Sequence, residues 1–483
     1  MNQFSVVIFK VKAAKTGLFW SALERVLTQA IQLAIMLVLA RRLGPEAFGL
    51  IGMVAIFLSI SQVFVDSGFS NAIIRKKERS EKDYSTVFIF NFTVSIICYG
   101  ALWLLAPFIA DFYRKKELVD IIRILGTIIP INALSVVQRI RLTVALDFKK
   151  LAISSSLGAV ISGAVAIFIA YRLHQGVWSL VYQSLTFSIV STLVLNILNP
   201  WSPKEKFSKE SFLSLFGFGS KLLVASIIET ILSNIYTIII GRKYEAQKLG
   251  LYTQANQLAS VPAITMTNIL QRVTFPLLSN IQDDINKLDE TYLFIIKSSC
   301  SIIFPLLSVF AILSMPLLTS ILGNIWWESS VLLSILICGY LLYPLHAINL
   351  NMLQVKGRSD LFLKLEIIKK IGMLAILLIT INYGVVALCI GISVSSYFSL
   401  IMNTLYTGRL SSITFSKQIS SVFFIWLICI VFIIISLAIN YYVHDHTKVY
   451  LILTGAVFIF VYISYMVFMQ KNLVKMIISY VKK

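Results

Sequence analysis

Charged and amide side chains recur inside long apolar runs of this 483-residue chain, and they are the residues with chemistry to offer. Glu24 and Arg25 stand side by side, with Trp20, Thr28 and Gln32 sharing the Glu24 face at four-residue spacing. Gln62 and Asp66 close the next run. Ser226, Glu229, Thr230, Ser233 and Thr237 form a later stripe with Lys221 near its start, and Gln257, Ser260, Asn268, Gln271 and Arg272 form another. A charge at the centre of a membrane helix costs about 2.5–3.5 kcal/mol on insertion scales, so these groups are expected to face protein or a wet cavity. Arg25, Arg272 and Lys221 suit an anionic head group, because guanidinium makes bidentate, charge-assisted bonds to phosphate. Glu24, Asp66 and Glu229 suit a coupling proton or cation, with Gln271 and Asn268 adding polar lining. The competing reading is structural: Glu24 and Arg25 neutralise their neighbours, while Asp66 and Arg272 snorkel to the interface.

The other motifs point to no catalysis, cofactor or metal, and the chain reads as a non-enzyme. His444-Asp445-His446 offers metal-ligand types, but no further ligand is apparent for a tetrahedral site. Gly217-Phe218-Gly219-Ser220-Lys221 lacks the spacing of a phosphate loop, and no strand precedes it. Asn91-Phe92-Thr93 is a sequon inside an apolar run, and Asp283-Asp284 is an adjacent pair suited to capping a helix. Ser154, Gly158, Ser162, Ala166 and Ala170 make a small-residue stripe expected to be a helix-packing seam. The five cysteines all fall in apolar runs without a C-x-x-C pair and read as small buried hydrophobes.

The elements that must position these residues are membrane helices. Hydrophobic residues make up 58% of the chain and charged residues 13%, and mean hydropathy is +0.85. A soluble domain has about 45–50% apolar and about 25% charged residues. The apolar runs are continuous, without the alternation of a transmembrane barrel, so helices are the spanning structure. At about 20 residues per crossing, fourteen spans are expected, near 17–40, 47–68, 85–107, 118–138, 151–171, 177–198, 213–240, 251–276, 291–314, 329–354, 363–382, 385–407, 421–441 and 449–469. The first is read as a retained helix rather than a cleaved signal, since it carries Glu24 and Arg25. The net charge of +20 sits in short loops, which argues against nucleic acid as its target. With a cytoplasmic N-terminus, 27 Lys/Arg fall inside, 10 outside and five within or beside spans, so both termini are expected inside.

The chain also repeats. Pro130-Ile131-Asn132-Ala133 is echoed by Pro344-Leu345-His346-Ala347, Gly176-Val177 by Gly384-Val385, and Arg42 with Gly49-Leu50 by Arg242 with Gly250-Leu251. Six helices separate equivalent points, so the halves enter the membrane in the same direction. The expected fold is an all-α polytopic membrane protein of two six-helix lobes, related by a pseudo-two-fold axis along the membrane normal, plus two further helices. The lobes cover 1–205 and 206–410, and 411–483 holds the extra spans and a cytoplasmic tail.

Several segments add a resemblance. Gly17-Leu18-Phe19-Trp20-Ser21-Ala22-Leu23-Glu24-Arg25, Ala40-Arg41-Arg42-Leu43-Gly44-Pro45-Glu46-Ala47-Phe48-Gly49-Leu50 and Asp66-Ser67-Gly68-Phe69 carry it in the first half. So do Ile73-Ile74-Arg75-Lys76 and Asp83-Tyr84-Ser85-Thr86, then Leu270-Gln271-Arg272-Val273-Thr274-Phe275-Pro276 and the run from Asn351 to Asp360. Along most of 10–410 the chain resembles the Wzx-type oligosaccharide flippases, a branch of the multidrug/oligosaccharidyl-lipid/polysaccharide exporter superfamily. The resemblance implies a bacterial inner-membrane transporter with twelve core helices. It also implies an undecaprenyl-diphosphate-linked oligosaccharide as substrate, flipped to the outer leaflet by alternating access. Its diphosphate would meet basic residues, with Arg25 and Arg272 in matching segments. Expected partners are that lipid-linked sugar, membrane lipids and polysaccharide polymerase or assembly proteins. The rival readings are a cation-coupled multidrug antiporter of the same superfamily, a membrane glycan polymerase, which would want a sizeable outer loop, and a non-transporting scaffold.

Overall fold

The computed structural model describes residues 3–66, 68–76, 78–410, 413–443, 447–471 and 473, without the side chains of 3–19, 21–26, 218 and 359. Among them every regular element is a helix. The chain divides into two compact units, Met1–Gly250 and Leu251–Lys483.

The first unit begins with α1 (Gln3–Asp66), a helical run broken at Gly44, whose φ of 73° suits glycine. Pro45 follows, where its fixed φ and missing N–H cost nothing at the start of a new helical stretch. Then come α2 (Phe69–Arg75), α3 (Glu81–Tyr113), and the bent series α4 (Leu118–Gly126), α5 (Ile128–Ala133) and α6 (Val136–Val144). The last of these turns 43° from the first two. α7 (Phe148–Phe168) ends in a π-helical turn, and α8 (Trp178–Leu198) and α9 (Lys209–Lys243) follow. The small-residue stripe of α7 is a seam: Ser154 Oγ donates to the Ser191 carbonyl of α8 at 2.8 Å. Ala166 and Ala170 pack with Ile35 and Leu39 of α1. Without lipid between them, small residues let these backbones approach.

The second unit contains α10 (Glu245–Ser279) beyond Gly250, then α11 (Ile285–Ile312), α12 (Ser314–Ile321), α13 (Trp327–Tyr340) and α14 (Tyr343–Val355). α15 (Ser359–Thr380), α16 (Val385–Gly408), α17 (Phe415–Tyr442) and α18 (Thr447–Met469) complete it. Both α17 and α18 pack on α11, and Tyr462 of α18 donates to the Ser301 carbonyl at 2.6 Å. Some polar side chains in this core bond one another, as burial away from water favours. Tyr292 donates to Asn349 Oδ1 at 2.9 Å and approaches Gln418 Oε1 at 3.2 Å. Cys300, Cys389 and Cys429 are buried, Cys98 and Cys338 are half-buried, and none is bridged.

Each of the fourteen expected spans falls largely on helix, but among the described residues ten helices are long and apolar enough to cross a membrane, or eleven if the bent α4–α6 series is one span. The reasons are local. The first two expected spans run together through α1, and α10 and α15 carry too many polar and charged residues to pass by hydropathy.

One backbone contact in the first unit needs glycine. A β-carbon on Gly49 would fall on the carbonyl oxygen of Ala246, and a β-carbon on Gly250 would fall on that of Pro45. The contact is reciprocal, since Gly49 to Gly250 and Pro45 to Ala246 are both steps of 201 positions. These are the glycines of the Arg42/Arg242 sequence echo. Overfilling a packed site typically costs about 1–3 kcal/mol, and here the obstacle is backbone. Gly49→Ala and Gly250→Ala are therefore expected to lower the thermal midpoint of the purified protein. Gly100→Ala in α3 has no heavy atom within 4 Å of the added carbon and should leave it unchanged or higher. Equal midpoints for all three would remove the crossing as a determinant of stability.

Candidate functional site

The end of α1 opens on a recess of about 600 Å³. Asp66, Asn71, Asn132, Arg139, Thr143 and Ser226 contribute its polar lining. Five elements supply these residues, α1, α2, α5, α6 and α9, and local contacts hold several of them in place. Gly68 turns the chain after α1 with φ 69°, and its α-carbon lies against the backbone of Gly219 in α9. The glycine-rich run of α9 thus serves close helix packing. Beneath the turn, Phe69 stacks on Phe212 with centroids 5.5 Å apart, and Val137 and Ile140 of α6 join the same buried cluster.

The segment between α2 and α3 is tied down by charge-assisted bonds. Arg79 donates to the Ile73 and Ile74 carbonyls, satisfying the end of α2. Ser80 and Asp83 form a reciprocal capping box at the start of α3, and Lys76 reaches the same Asp83 carboxylate at 2.8 Å. The strap between α8 and α9 is pinned to this corner. The Glu205 and Ser208 amides donate to Ser85 and Thr86, and Trp201 Nε1 donates to Glu81 at 2.8 Å. Gln138 of α6 bonds Asn196 at 2.6 Å and receives a bond from Asn199 on its carbonyl. At the opposite end of the unit, Lys115 pairs with Glu46, and that hydrogen bond raises the lysine pKa.

Within the recess, Gln62 donates to Asp66 Oδ1 at a long 3.4 Å. Arg139 is near enough for its charge to act on the Asp66 carboxylate. Of the residues anticipated from sequence, Asp66 lines the recess; Lys221 is exposed on α9 just before the lining Leu222; and Glu229 is exposed further along α9. In the second unit Arg272 is exposed on α10, and Gln271 and Asn268 are half-buried. Asn351 of α14 donates to Thr274 Oγ1 at 2.6 Å and to the Gln271 carbonyl at 3.3 Å. The segment around Arg272 is thereby joined to the one running to Asp360. At that segment's end Arg358 holds Asp360 in a two-bond fork that draws the carboxyl pKa down to about 2. Glu24, Arg25 and the His444-Asp445-His446 group lie outside the described side chains. No cluster of metal-ligating residues occurs among the described residues.

Arg139, Asn71 and Asn132 are lining residues that the sequence did not single out. Arg139 carried a signal, being a charge at the edge of an expected span, but it reads equally as a loop cation. Asn132 stood inside the Pro130 echo, where its repetition drew attention and its chemistry did not.

A sequence family described as polysaccharide biosynthesis protein matches residues 38–331. The chain is 28% identical over 304 residues to the teichuronic acid biosynthesis protein TuaB of Bacillus subtilis (strain 168), covering 62% of each chain, less than two thirds of that relative. It is 26% identical over 392 residues to the lipopolysaccharide biosynthesis protein WzxC of Escherichia coli (strain K12), covering 81% of this chain and 79% of that one. In fold it is similar to an inward closed structure of the lipid II flippase MurJ, with TM-score 0.74, 13% identity, and 94% and 99% of the two chains covered. An inward-facing multidrug MATE transporter gives 0.63 at 18% identity, covering 79% and 94%.

The Ser80–Asp83 corner yields a direct test. Losing a helix cap costs about 0.5–2 kcal/mol, and Asp83→Ala loses the Lys76 bond as well. Asp83→Ala should lower the thermal midpoint more than Asp83→Asn, which keeps the cap acceptor and drops the charge. Equal losses would show that the cap acceptor adds nothing beyond the Lys76 charge pair.

Proposed function

Because the chain belongs to the polysaccharide biosynthesis protein family, in the Wzx-type flippase branch of the multidrug/oligosaccharidyl-lipid/polysaccharide exporter superfamily, we propose that it flips an undecaprenyl-diphosphate-linked oligosaccharide from the cytoplasmic to the outer leaflet. The observation that carries this reading is the recess itself: a polar, roomy opening inside a unit of apolar membrane helices. A polar cavity in such a setting is costly unless a polar solute uses it.

On this reading the protein is a transporter, not an enzyme, and works by alternating access of two lobes, 1–205 and 206–410. Residues 411–483 add two spans to make fourteen, and both termini are cytoplasmic. Arg25, Arg272 and Lys221 bind the diphosphate, for which a guanidinium fork is well shaped. Glu24, Asp66, Glu229, Gln271 and Asn268 add polar cavity lining, with the acids among them open to a coupling ion. The membrane's own lipids surround the carried polyprenyl tail, and polymerase or assembly proteins take the product onward.

The test is flipping in liposomes that hold the purified protein and a diphosphate-linked polyprenyl sugar, followed by the sugar's exposure to an outside reagent. Protein-dependent exposure is expected. Arg272→Ala should slow it at least tenfold while the protein stays folded and inserted. Wild-type rates from that variant would remove Arg272 from the diphosphate site, and no exposure with the native chain would sink the flippase reading.

A further inference from the structure

We propose that the recess formed by α1, α2, α5, α6 and α9 receives the uncharged, hydroxyl-rich glycan of the substrate, and that the diphosphate is held elsewhere. This rests on the flippase reading and adds a division of labour to it.

Charge is the first argument. Among the described residues the lining holds one carboxylate, Asp66, and one guanidinium, Arg139, and its remaining polar groups are neutral. A diphosphate would place its negative charge beside Asp66 with no basic excess to offset it, and like charges brought together in a poorly solvated site repel. A sugar carries no such penalty.

The second argument is unspent hydrogen-bonding capacity. The side chains of Ser70, Asn71, Asn132 and Ser226 line the recess, and no hydrogen bond joins them to any described residue. Elsewhere in the molecule Asn196 bonds Gln138 and Asn351 bonds Thr274. An amide offers both donors and acceptors, and a carboxylate accepts at two oxygens. Such groups match the paired donor and acceptor positions of adjacent sugar hydroxyls. Val63, Ile74 and Ile140 supply apolar wall for the C–H faces of a ring. The volume of about 600 Å³ falls in the usual range of small-ligand sites, about 300–1,000 Å³, which suits a short glycan and excludes a long polyprenyl tail.

The third argument comes from the sequence echo. Asn132 stands in Pro130-Ile131-Asn132-Ala133, and its counterpart in Pro344-Leu345-His346-Ala347 is His346. His346 is closed off: Nε2 meets Ser396 Oγ at 3.1 Å, and Asn403 Nδ2 donates to Nδ1 at 3.2 Å. The corresponding place in the second unit is therefore filled by protein bonding to protein. An opening at Asn132 is a property of the first unit and not of the repeated segment.

The experiment uses the full chain in liposomes with Ser226→Cys as a reporter on the recess wall, labelled by a membrane-impermeant maleimide and corrected for the five native cysteines. The probes are the lipid-linked glycan extracted from the source cells and bare undecaprenyl diphosphate. The glycan-bearing lipid should slow labelling at least fivefold, and the bare lipid should leave it unchanged. Asn71→Ala and Asn132→Ala should each raise the glycan-lipid concentration needed for half-maximal protection at least fivefold. Equal protection by both lipids, or by neither, overturns the proposal, as does protection insensitive to both asparagine variants. Flipping is read in the same vesicles. Glycan-specific protection without flipping keeps the recess assignment and removes transport; flipping without glycan-specific protection does the reverse.

Discussion

A backbone carbonyl can rest against an α-carbon only where no β-carbon intervenes, and the crossing of α1 with the start of α10 uses that fact twice. Gly49 admits the Ala246 carbonyl and Gly250 admits the Pro45 carbonyl. In a bilayer the lipid is as apolar as leucine, so helices associate through close packing and hydrogen bonds more than through solvent exclusion. A glycine crossing is then one of the strongest anchors the sequence can provide. It sits just after the Gly44–Pro45 break, so the second half of α1 starts from a fixed point. That half runs from the crossing to Asp66, a length of about 30 Å at 1.5 Å per residue. The recess at its far end inherits its position from the crossing.

At the recess end the same logic recurs with different chemistry. Gly68 lets the α1–α2 turn touch the backbone of Gly219 in α9, so the second half of α1 has a close glycine contact near each of its ends. Between them, the charged residues of the α2–α3 segment spend their bonds on helix termini: Arg79 on the end of α2, Asp83 on the start of α3. The strap after α8 adds backbone donors to Ser85 and Thr86. These bonds leave the lining of the recess, and not its frame, as the place where polar groups remain available. A binding site built on such a frame loses little entropy on occupation.

Composition and periodicity were enough to read a helical membrane protein, because 58% apolar content in unbroken runs has few other outcomes. The α7 seam was legible because small residues at helical spacing have one common use. The Arg42–Gly49 and Arg242–Gly250 echo was legible as repetition, but its meaning, two glycines in contact, needed coordinates. Helix α10 resists hydropathy for a reason that is itself informative, since its polar residues are among those the sequence marked for function, whereas α15 resists it through Lys364, Glu366, Lys369 and Lys370. The recess was only half legible. Asp66 stood out as an acid at the end of an apolar run. Arg139, Asn71 and Asn132 did not, because polar residues near helix ends ordinarily face water, and only the fold of α2 and α6 around α1 turns them toward a common space.

The contrast between Asn132 and His346 bears on how a repeated fold divides its labour. Two segments that echo each other in sequence face the same choice: satisfy a polar side chain internally, or leave it for a ligand. A buried unpaired polar group costs about 1–3 kcal/mol, so leaving one open is stable only if water or substrate reaches it. In the second unit His346 is held between Ser396 and Asn403, and Tyr292 bonds Asn349 and Gln418, so these side chains bond to protein. In the first unit half-buried Asn132 and exposed Asn71 line an open space instead. On the proposed reading the first unit offers a place to bind where the second bonds protein to protein, an asymmetry that a transporter with a directional task needs and that a purely structural repeat does not.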